Sequence, residues 1–489
     1  MTFISIMDNK NRTNIILDIF QEICKIPHPS GQEEAIGDYL MAFAKAHGLK
    51  VKKDNVGNIL ICKAAAKGCE KSPTVILQAH QDMVCEKDAA LIHDFMKQPI
   101  QTYIEDGWLK AKGTTLGADD GIGMAMMLAV LADSTLKHGP IEALFTVSEE
   151  TGLTGASNLG DDMINGKMLI NLDSEDEGEI FIGCAGGIKS EIEFHYNAES
   201  IPENSFFLKI SVDRLHGGHS GDDIDKGYAN ANKILARFLY NTIDKYNLKL
   251  CSFNGGNLHN AIPRDSTATV AIPGKYKEDI RVDFNIFASE VQSEYHITEP
   301  NMEFIMESTE EVKTCIDSQT TKNFIYSLYS VVNGVYAMSM DMPGLVETSS
   351  NLASVRTTDT TIKMVASHRS SVMSALTAVR DNVAATFLLA GAKVSHNEGY
   401  PGWKPNPQSP LLKITVDSYR ELFGKEPKVR AIHAGLECGL FLADHPYLDM
   451  ISIGPTLRGV HSPSERLLIE TVNPVYTHLI NILERIANK

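Results

Sequence analysis

The chain has 489 residues, 43% hydrophobic and 22% charged, enough for roughly two to four globular domains at about 150 residues each. Its 45 Lys and Arg against 62 Asp and Glu leave a net charge of −17, a surface that repels phosphate backbones and acidic membrane faces, so neither nucleic acid nor membrane is an expected partner. The longest run free of charge and strong polarity, Gly121 to Ala132, falls well short of the roughly 20 residues that cross a bilayer.

Met1 to Met7 is a short apolar patch followed at once by Asp8, Lys10 and Arg12, without the basic lead-in or small-residue cleavage site of a secretory signal. The scattered cysteines contain no Cys-x-x-Cys pair and read as reduced thiols, which predicts a cytoplasmic protein. Asn14 to Ile26 and Ala35 to His47 carry helical period. Leu49 to Lys53 and Asn58 to Lys63, separated by Asp54, Asn55 and Gly57, read as an edge hairpin. Thr74 to Ala79, Ile141 to Val147 and Met168 to Leu172 are apolar runs of strand length, as expected of central parallel strands covered on both faces. Gly121 to Asp133 is an apolar helix with Asp119 and Asp120 where an N-cap sits.

From about Ile188 the pattern turns to alternation. Lys189 to His195 and Phe206 to Val212 suggest an antiparallel sheet with one wet face, followed by a helix over Tyr228 to Tyr240. The Gly/Pro segments Gly183 to Gly187 and Gly399 to Pro405 bracket this region. Beyond it, Leu411 to Phe423 reads as a helix, Met450 to Ile453 as a buried strand, and Asn473-Pro474 as the N-cap and N1 pair of a last helix. The predicted fold class is α/β: a mixed, largely parallel sheet with helices on both faces, formed by residues 1–187 and 403–489, with an inserted α+β domain at 188–402.

The predicted central strands all end in acidic residues or histidine. The first runs into His80-Gln-Asp82, the second into Glu149-Glu150, and the third into Asp173-Ser-Glu175-Asp176; the strand at Met450 leads on to Gly459-Val-His461. Ligands of open α/β sheets bind outside the carboxyl ends of the strands, so these groups are expected to converge there. Like charges at close range raise one another's pKa unless a cation neutralises them. Imidazoles and carboxylates without cysteine suit zinc, cobalt or manganese, and two metals sharing a carboxylate sit about 3.5–4 Å apart in sites built for hydrolysis. The expected chemistry is metal-assisted attack by water.

Taken singly, each piece has a plainer reading. Asp119 and Asp120 read as helix caps, Glu149-Glu150 as a solvated pair, and Asp173 to Glu179 as an exposed acidic run. Coincidence at successive strand ends is what favours a metal site. No His-Glu-x-x-His helix, Gly-x-Ser-x-Gly elbow or P-loop is present, and Gly218-His-Ser220-Gly-Asp222 is one glycine short of a serine-hydrolase elbow.

Leu77-Gln-Ala-His80-Gln-Asp82, Gly117-Ala-Asp119-Asp120-Gly, Ser148-Glu149-Glu150-Thr-Gly and Asn171-Leu-Asp173 occur in the order and spacing of the dinuclear zinc peptidases of family M20. With His216-Gly-Gly-His219-Ser-Gly, Asn260-Ala-Ile-Pro263, Ser367-His-Arg369-Ser-Ser, His433-Ala-Gly-Leu-Glu437-Cys-Gly and Gly459-Val-His461-Ser-Pro, the chain resembles the bacterial Xaa-His dipeptidases of that family along nearly its whole length.

The resemblance implies two divalent ions per chain, zinc with cobalt or manganese able to substitute. His80 and Asp173 would bind one, Glu150 and His461 the other, with Asp119 bridging. Asp82 would hold the His80 imidazole from behind, and Glu149 would be the general base. It further implies that His219 donates to the oxyanion, that Arg369 pairs with the C-terminal carboxylate of a small dipeptide, and that Asn260 adds a hydrogen bond. Residues 188–402 would form a lid, through which a homodimer pairs, over the catalytic metal domain. Xaa-His dipeptides, with carnosine among them, are the implied substrates. The competing readings are a deacylase or carboxypeptidase on the same scaffold, and a metal-binding protein without turnover.

Overall fold

The computed structural model describes residues 3–160 and 162–488, so Met1 and Thr2 of the opening apolar patch lie outside the described residues. The chain forms two compact units, one of Met1–Gly183, Pro405–Ala431 and Glu437–Lys489, the other of Cys184–Lys404 and Ile432–Leu436.

The first unit is built on an eight-stranded sheet of β1 (Lys50–Lys53), β2 (Ile59–Lys63), β3 (Val75–His80), β4 (Ile141–Thr146), β5 (Met168–Asn171), β6 (Glu179–Cys184), β7 (Lys428–Ile432) and β8 (Asp449–Ser452), in the order β1-β2-β4-β3-β5-β8-β6-β7. The central run β4-β3-β5-β8 is parallel. Towards the edges, β2 is antiparallel to both β1 and β4, and β6 is antiparallel to β8. Every residue of β3 and β4 is buried. Because successive side chains point to opposite faces, helices must cover both faces there, which is why these strands read as unbroken apolar runs.

The helices are α1 (Phe3–Ile23), α2 (Glu34–Ala46), α3 (Ala118–Ala132), α4 (Pro410–Phe423), α5 (Glu437–Asp444) and α6 (Val472–Ala487). Helix α3 packs on β3 and α1, and from Gly121 to Leu131 it is buried all round. Helix α1 begins well before Asn14, because the apolar period that predicts it starts only where Ile16, Phe20 and Ile23 enter the core. The last helix also starts earlier than expected. A 3-10 turn, Ile469–Thr471, precedes it and Thr471 is the N-cap, so Asn473 and Pro474 lie inside the first turn. Proline is tolerated there because first-turn N–H groups have no intrahelical acceptor.

A small antiparallel sheet joins Thr102–Glu105, Trp108–Ala111, Arg466–Leu468 and Leu457–Arg458. Its last two strands form a hairpin whose connecting loop, residues 459–465, carries His461.

The second unit is a nine-stranded antiparallel sheet, with Ser205–Asp213, Ser266–Pro273, Val346–Thr357, Thr361–Ser370 and Gly186–His195 among its strands. Burial alternates along Gly186–His195 and Ser205–Asp213, and Leu208, Ile210, Ile192 and Phe194 pack with Leu235, Phe238, Phe324 and Phe387 from the unit's helices. The two Gly/Pro segments run antiparallel, exchanging backbone hydrogen bonds between Cys184 and Trp403 and between Gly187 and Tyr400. A Cβ on Gly186 would lie 2.5 Å from the Gly402 nitrogen, so this approach requires glycine. No disulfide joins the cysteines among the described residues. Among the described residues no helix is long and apolar enough to cross a membrane.

Candidate metal centre

His80 is the last residue of β3, at the carboxyl end of the sheet. Its Nδ1 lies 3.0 Å from the Asp82 backbone oxygen and 3.4 Å from Asp82 Oδ1. The Asp82 carboxylate is mainly occupied elsewhere. It accepts hydrogen bonds from the backbone N–H of Glu149 (3.0 Å) and of Glu150 (3.2 Å) and from the Ser30 hydroxyl (2.7 Å). Asp82 therefore braces the loop after β4 as much as it faces the imidazole. Burial opposes ionisation of Asp82, but its contact with His80 and these hydrogen bonds outweigh that and hold the pKa down at about 2.

Asp119 and Asp120 divide the two readings of the sequence between them. Both have non-helical backbone angles, and regular helix begins after them. Asp120 Oδ1 accepts the Gly123 N–H at 3.2 Å and so acts as a helix cap. Asp119 instead directs Oδ1 to His80 Nε2 at 3.0 Å and Oδ2 to His461 Nε2 at 3.1 Å. Asp173 Oδ1 is 3.5 Å from His80 Nε2, and Glu150 Oε2 is 3.0 Å from His461 Nε2. Three overlapping sets, His80/Asp119/Asp173, His80/Glu149/Glu150 and Asp119/Glu150/His461, each have ligand atoms within 4.8 Å of one another.

The electrostatics are those of an anionic cluster. Burial works against charge on His80, yet the Asp173 charge and hydrogen bonds to Asp119, Asp173 and Asp82 raise its pKa well above the ordinary value. Hydrogen bonds to Asp119 and Glu150 push His461 up to about 11. Burial lifts Asp173 to about 7, opposed by His80 and aided by Asp119, and it raises Glu149 strongly. Two imidazoles do not balance the carboxylates around them, and Glu150 Oε1 is buried without a hydrogen-bond partner. An oxygen- and imidazole-rich donor set with a shared carboxylate fits a pair of divalent cations.

Several residues that carry this geometry have no role assigned by the sequence reading: Gln78, Asn171 and Glu437 stand in the motifs without a function, and Glu465 lies outside them. Glu437, at the start of α5, is 0% exposed; its Oε2 accepts from Gln78 Nε2 (2.6 Å) and Thr146 Oγ1 (2.8 Å), and burial raises its pKa to about 8. Gln78 Oε1 in turn accepts from Asn171 Nδ2 at 2.6 Å, so a polar row ties β3, β4 and β5 together just behind the ligands. Glu465 accepts backbone N–H groups from the Asp119 segment. The acidic run after Asp173, expected to be solvated, is instead partnered: Asp176 with Arg458, Glu177 with the Tyr419 hydroxyl, and Glu179 with Lys428 and Arg430. The partners come from distant segments, which is why the run looks unpaired in sequence.

In the second unit, Arg369 lies in the strand Thr361–Ser370, only 7% exposed. Its Nη1 donates to the Tyr400 hydroxyl at 3.2 Å, its Nη2 is 3.3 Å from His219 Nε2, and its Nε has no hydrogen-bond partner. It makes no ion pair among the described residues. His219 Nδ1 lies 3.2 Å from Asp222 Oδ2. Asn260 is adjacent, its backbone oxygen accepting the Ser220 N–H at 2.8 Å. Within this unit His219, Arg369 and Asn260 are thus brought together around a buried guanidinium that lacks an anion.

Carboxylates and imidazoles gathered at the carboxyl ends of a parallel sheet define a metal-assisted hydrolase. The chain belongs to the peptidase family M20/M25/M40, whose pattern matches residues 76–488, and it is a hydrolase acting on peptide bonds. It is 43% identical over 472 residues, 96% of this chain and 97% of the other, to the cytosol non-specific dipeptidase of Escherichia coli (strain K12). The crystal structure of aminoacylhistidine dipeptidase from Vibrio alginolyticus superposes with a TM-score of 0.91 at 40% identity, covering 96% of each chain. Human carnosine dipeptidase 1, at 13% identity and a TM-score of 0.52 over 99% of this chain and 98% of its own, shares the fold.

Proposed function

We propose that this chain is a dinuclear metallo-dipeptidase that hydrolyses Xaa-His and other unblocked dipeptides. The observation that carries the reading is the Asp119 carboxylate, which turns one oxygen toward each of two imidazoles, each backed by a further carboxylate. His80, Asp119 and Asp173 would hold one ion, and Asp119, Glu150 and His461 the other. Zinc, with cobalt or manganese in its place, would supply polarisation of the scissile carbonyl and acidification of water.

The chain's own residues do the remaining work. Glu149, fixed through its backbone N–H to Asp82, takes the proton of the attacking water on its carboxylate and returns it to the leaving amine. Its burial favours holding a proton between those events. Geometry alone would also allow Glu149 as a ligand, but Glu150 shares ligand distance with His461 and Asp119, which leaves Glu149 for acid–base work. In the inserted unit, 188–402 by its sequence boundaries, Arg369 pairs bidentately with the substrate carboxylate, His219 donates to the oxyanion and Asn260 adds a hydrogen bond. The unpartnered Nε of Arg369 and its lack of a carboxylate favour this role. The names of the two close relatives support the dipeptide substrate and a cytoplasmic location.

The test is hydrolysis of a Xaa-His dipeptide, a tripeptide and an N-acyl amino acid by metal-stripped protein, with and without zinc, cobalt or manganese. Metal-dependent turnover of the dipeptide is expected, and Glu149→Ala should abolish it while retaining metal. Absence of metal-dependent dipeptide turnover refutes the proposal; preference for the N-acyl amino acid would transfer it to the deacylases.

A further inference from the structure

Glu465 is 3% exposed, makes no ion pair among the described residues, and lies at the end of the loop that carries His461. Its Oε2 accepts the N–H groups of Leu116 (2.7 Å) and Gly117 (3.1 Å), and its Oε1 those of Ala118 (2.8 Å) and Asp119 (3.3 Å). A carboxylate offers about four lone-pair positions, so four consecutive amides use its full accepting capacity. Such convergence of neighbouring N–H groups needs a left-handed residue within the segment. Gly117 provides it, with φ +69°, and a Cβ there would lie 2.9 Å from Met83 Sδ.

The loop 459–465 therefore grips Asp119 twice: His461 Nε2 contacts its carboxylate, and Glu465 holds its backbone. The loop is itself anchored, because Arg466–Leu468, which starts at the next residue, pairs antiparallel with Trp108–Ala111. A buried carboxyl group placed next to an anionic cluster is an expensive way to satisfy amides that solvent or a smaller polar side chain could satisfy, which argues for a role beyond local folding.

We propose that Glu465 is a positioning residue that sets where the Asp119 carboxylate stands between the two halves of the donor set. This rests on the dinuclear reading above. Since Asp119 offers one oxygen to each half, displacing its backbone weakens both halves together. Glu465→Gln presents one acceptor oxygen and one amide donor, so at least part of the row of N–H groups meets another donor. Glu465→Asp keeps the carboxyl group and draws it back by one methylene.

Both variants are compared with Glu142→Gln. Glu142 is also buried and accepts the backbone N–H groups of Asn165 (2.8 Å) and Gly166 (3.0 Å), but it lies at the opposite end of β4 from the donor set. Metal-free proteins are titrated with zinc against a competing chelator, the cobalt-loaded forms are read by visible absorption, and kcat and KM are measured separately. For Glu465→Gln both zinc affinities are expected to fall about 10–100-fold, the range seen when a group supporting a metal ligand is removed. The cobalt spectrum should change, and kcat should fall with little change in KM. Glu465→Asp should fall between Glu465→Gln and wild type. Glu142→Gln should melt earlier with wild-type zinc affinities.

Wild-type affinities and an unaltered cobalt spectrum in Glu465→Gln, or a loss confined to melting temperature as in Glu142→Gln, would overturn the proposal. If Glu465→Gln does not fold, the same readouts on Glu465→Asp decide. A wild-type protein that binds fewer than two zinc ions would instead defeat the dinuclear reading itself.

Discussion

Replacing Asp82 by Asn removes a charge from a buried position and inverts one of its two acceptors. The carboxylate accepts the N–H groups of Glu149 and Glu150 on separate oxygens, with the Ser30 hydroxyl sharing Oδ2. Whichever way the Asn amide turns, its NH2 faces one of the two backbone N–H groups. A hydrogen bond to a charged acceptor contributes about 1.5–3 kcal/mol, so losing one and weakening the others should cost about 2–4 kcal/mol. The ionisation of the carboxyl reflects a wider set of contacts, His80 first and then Ser30 and the Glu149 N–H. A pKa held at about 2 instead of the ordinary 3.8 corresponds to about 2 kcal/mol favouring the folded, charged form at neutral pH, at about 1.4 kcal/mol per unit. Because this pKa is depressed, that contribution is complete above about pH 4 and lost as the pH falls through about 2. Urea denaturation of metal-free wild type and Asp82→Asn at pH 7 measures the difference directly, and kcat of the metal-loaded variant should fall as Glu149 loses its support. A stability change below about 1 kcal/mol would refute the claim that Asp82 braces the loop after β4.

Two further outcomes are expected. His478, in α6, donates Nε2–H to the Thr415 carbonyl at 2.9 Å, and burial lowers its pKa to about 4. Below pH 6.5 the unfolded chain takes up a proton that the folded chain refuses, so this residue's contribution, complete above pH 6.5, declines by about 1.4 kcal/mol per pH unit until about pH 4. Buried carboxyls such as Asp173 and Glu437 titrate in the same range with the opposite sign, so the slope is read from the difference between wild type and His478→Phe in urea denaturation at pH 7 and pH 5.5. Arg369→Lys keeps the positive charge but loses the planar fork, and should raise KM for dipeptides about 10–100-fold while metal content stays at the wild-type level; an unchanged KM would remove Arg369 from substrate recognition.

What was legible in the sequence is what residue type and period encode. β3, β4 and β5 announce themselves as apolar runs because both of their faces are covered, and α3 by small residues that let it lie against β3 and α1. His80, Asp119, Glu149, Glu150, Asp173 and His461 were legible as a group because each follows or ends a predicted strand or opens a helix, and the structure brings them within ligand distance. Glu465 was not, and Glu437 was legible only as a member of the His433-Ala-Gly-Leu-Glu437-Cys-Gly motif, with no role attached. Glu465 binds backbone amides, which every residue has, so no spacing betrays it; Glu437 is paired with Gln78 and Thr146, hundreds of residues away along the chain. The acidic run after Asp173 misled for the same reason. Charges look solvated in sequence when their partners, here Arg458, Tyr419, Lys428 and Arg430, arrive from the far end of the chain.

The two loops that carry the central carboxylates share a device. In the loop after β4, four consecutive N–H groups go to side chains: Val147 to Asn58 Oδ1 (3.1 Å), Ser148 to Glu33 Oε1 (3.0 Å), and Glu149 and Glu150 to Asp82. In the loop before α3, four consecutive N–H groups go to Glu465. Neither segment can satisfy its amides within a helix or sheet, and both contain a left-handed residue, Ser148 at φ +50° and Gly117 at φ +69°. A non-glycine residue at positive φ persists only where its surroundings over-determine it, and the row of acceptors around Ser148 does so. With these eight amides already committed, the backbone that carries Asp119 and Glu150 is held in place by the fold. The rearrangement that metal binding would otherwise require is thereby completed when the chain folds. Six of the eight N–H groups go to two buried acids, Asp82 and Glu465, because a carboxylate takes several N–H groups at once without offering a competing donor.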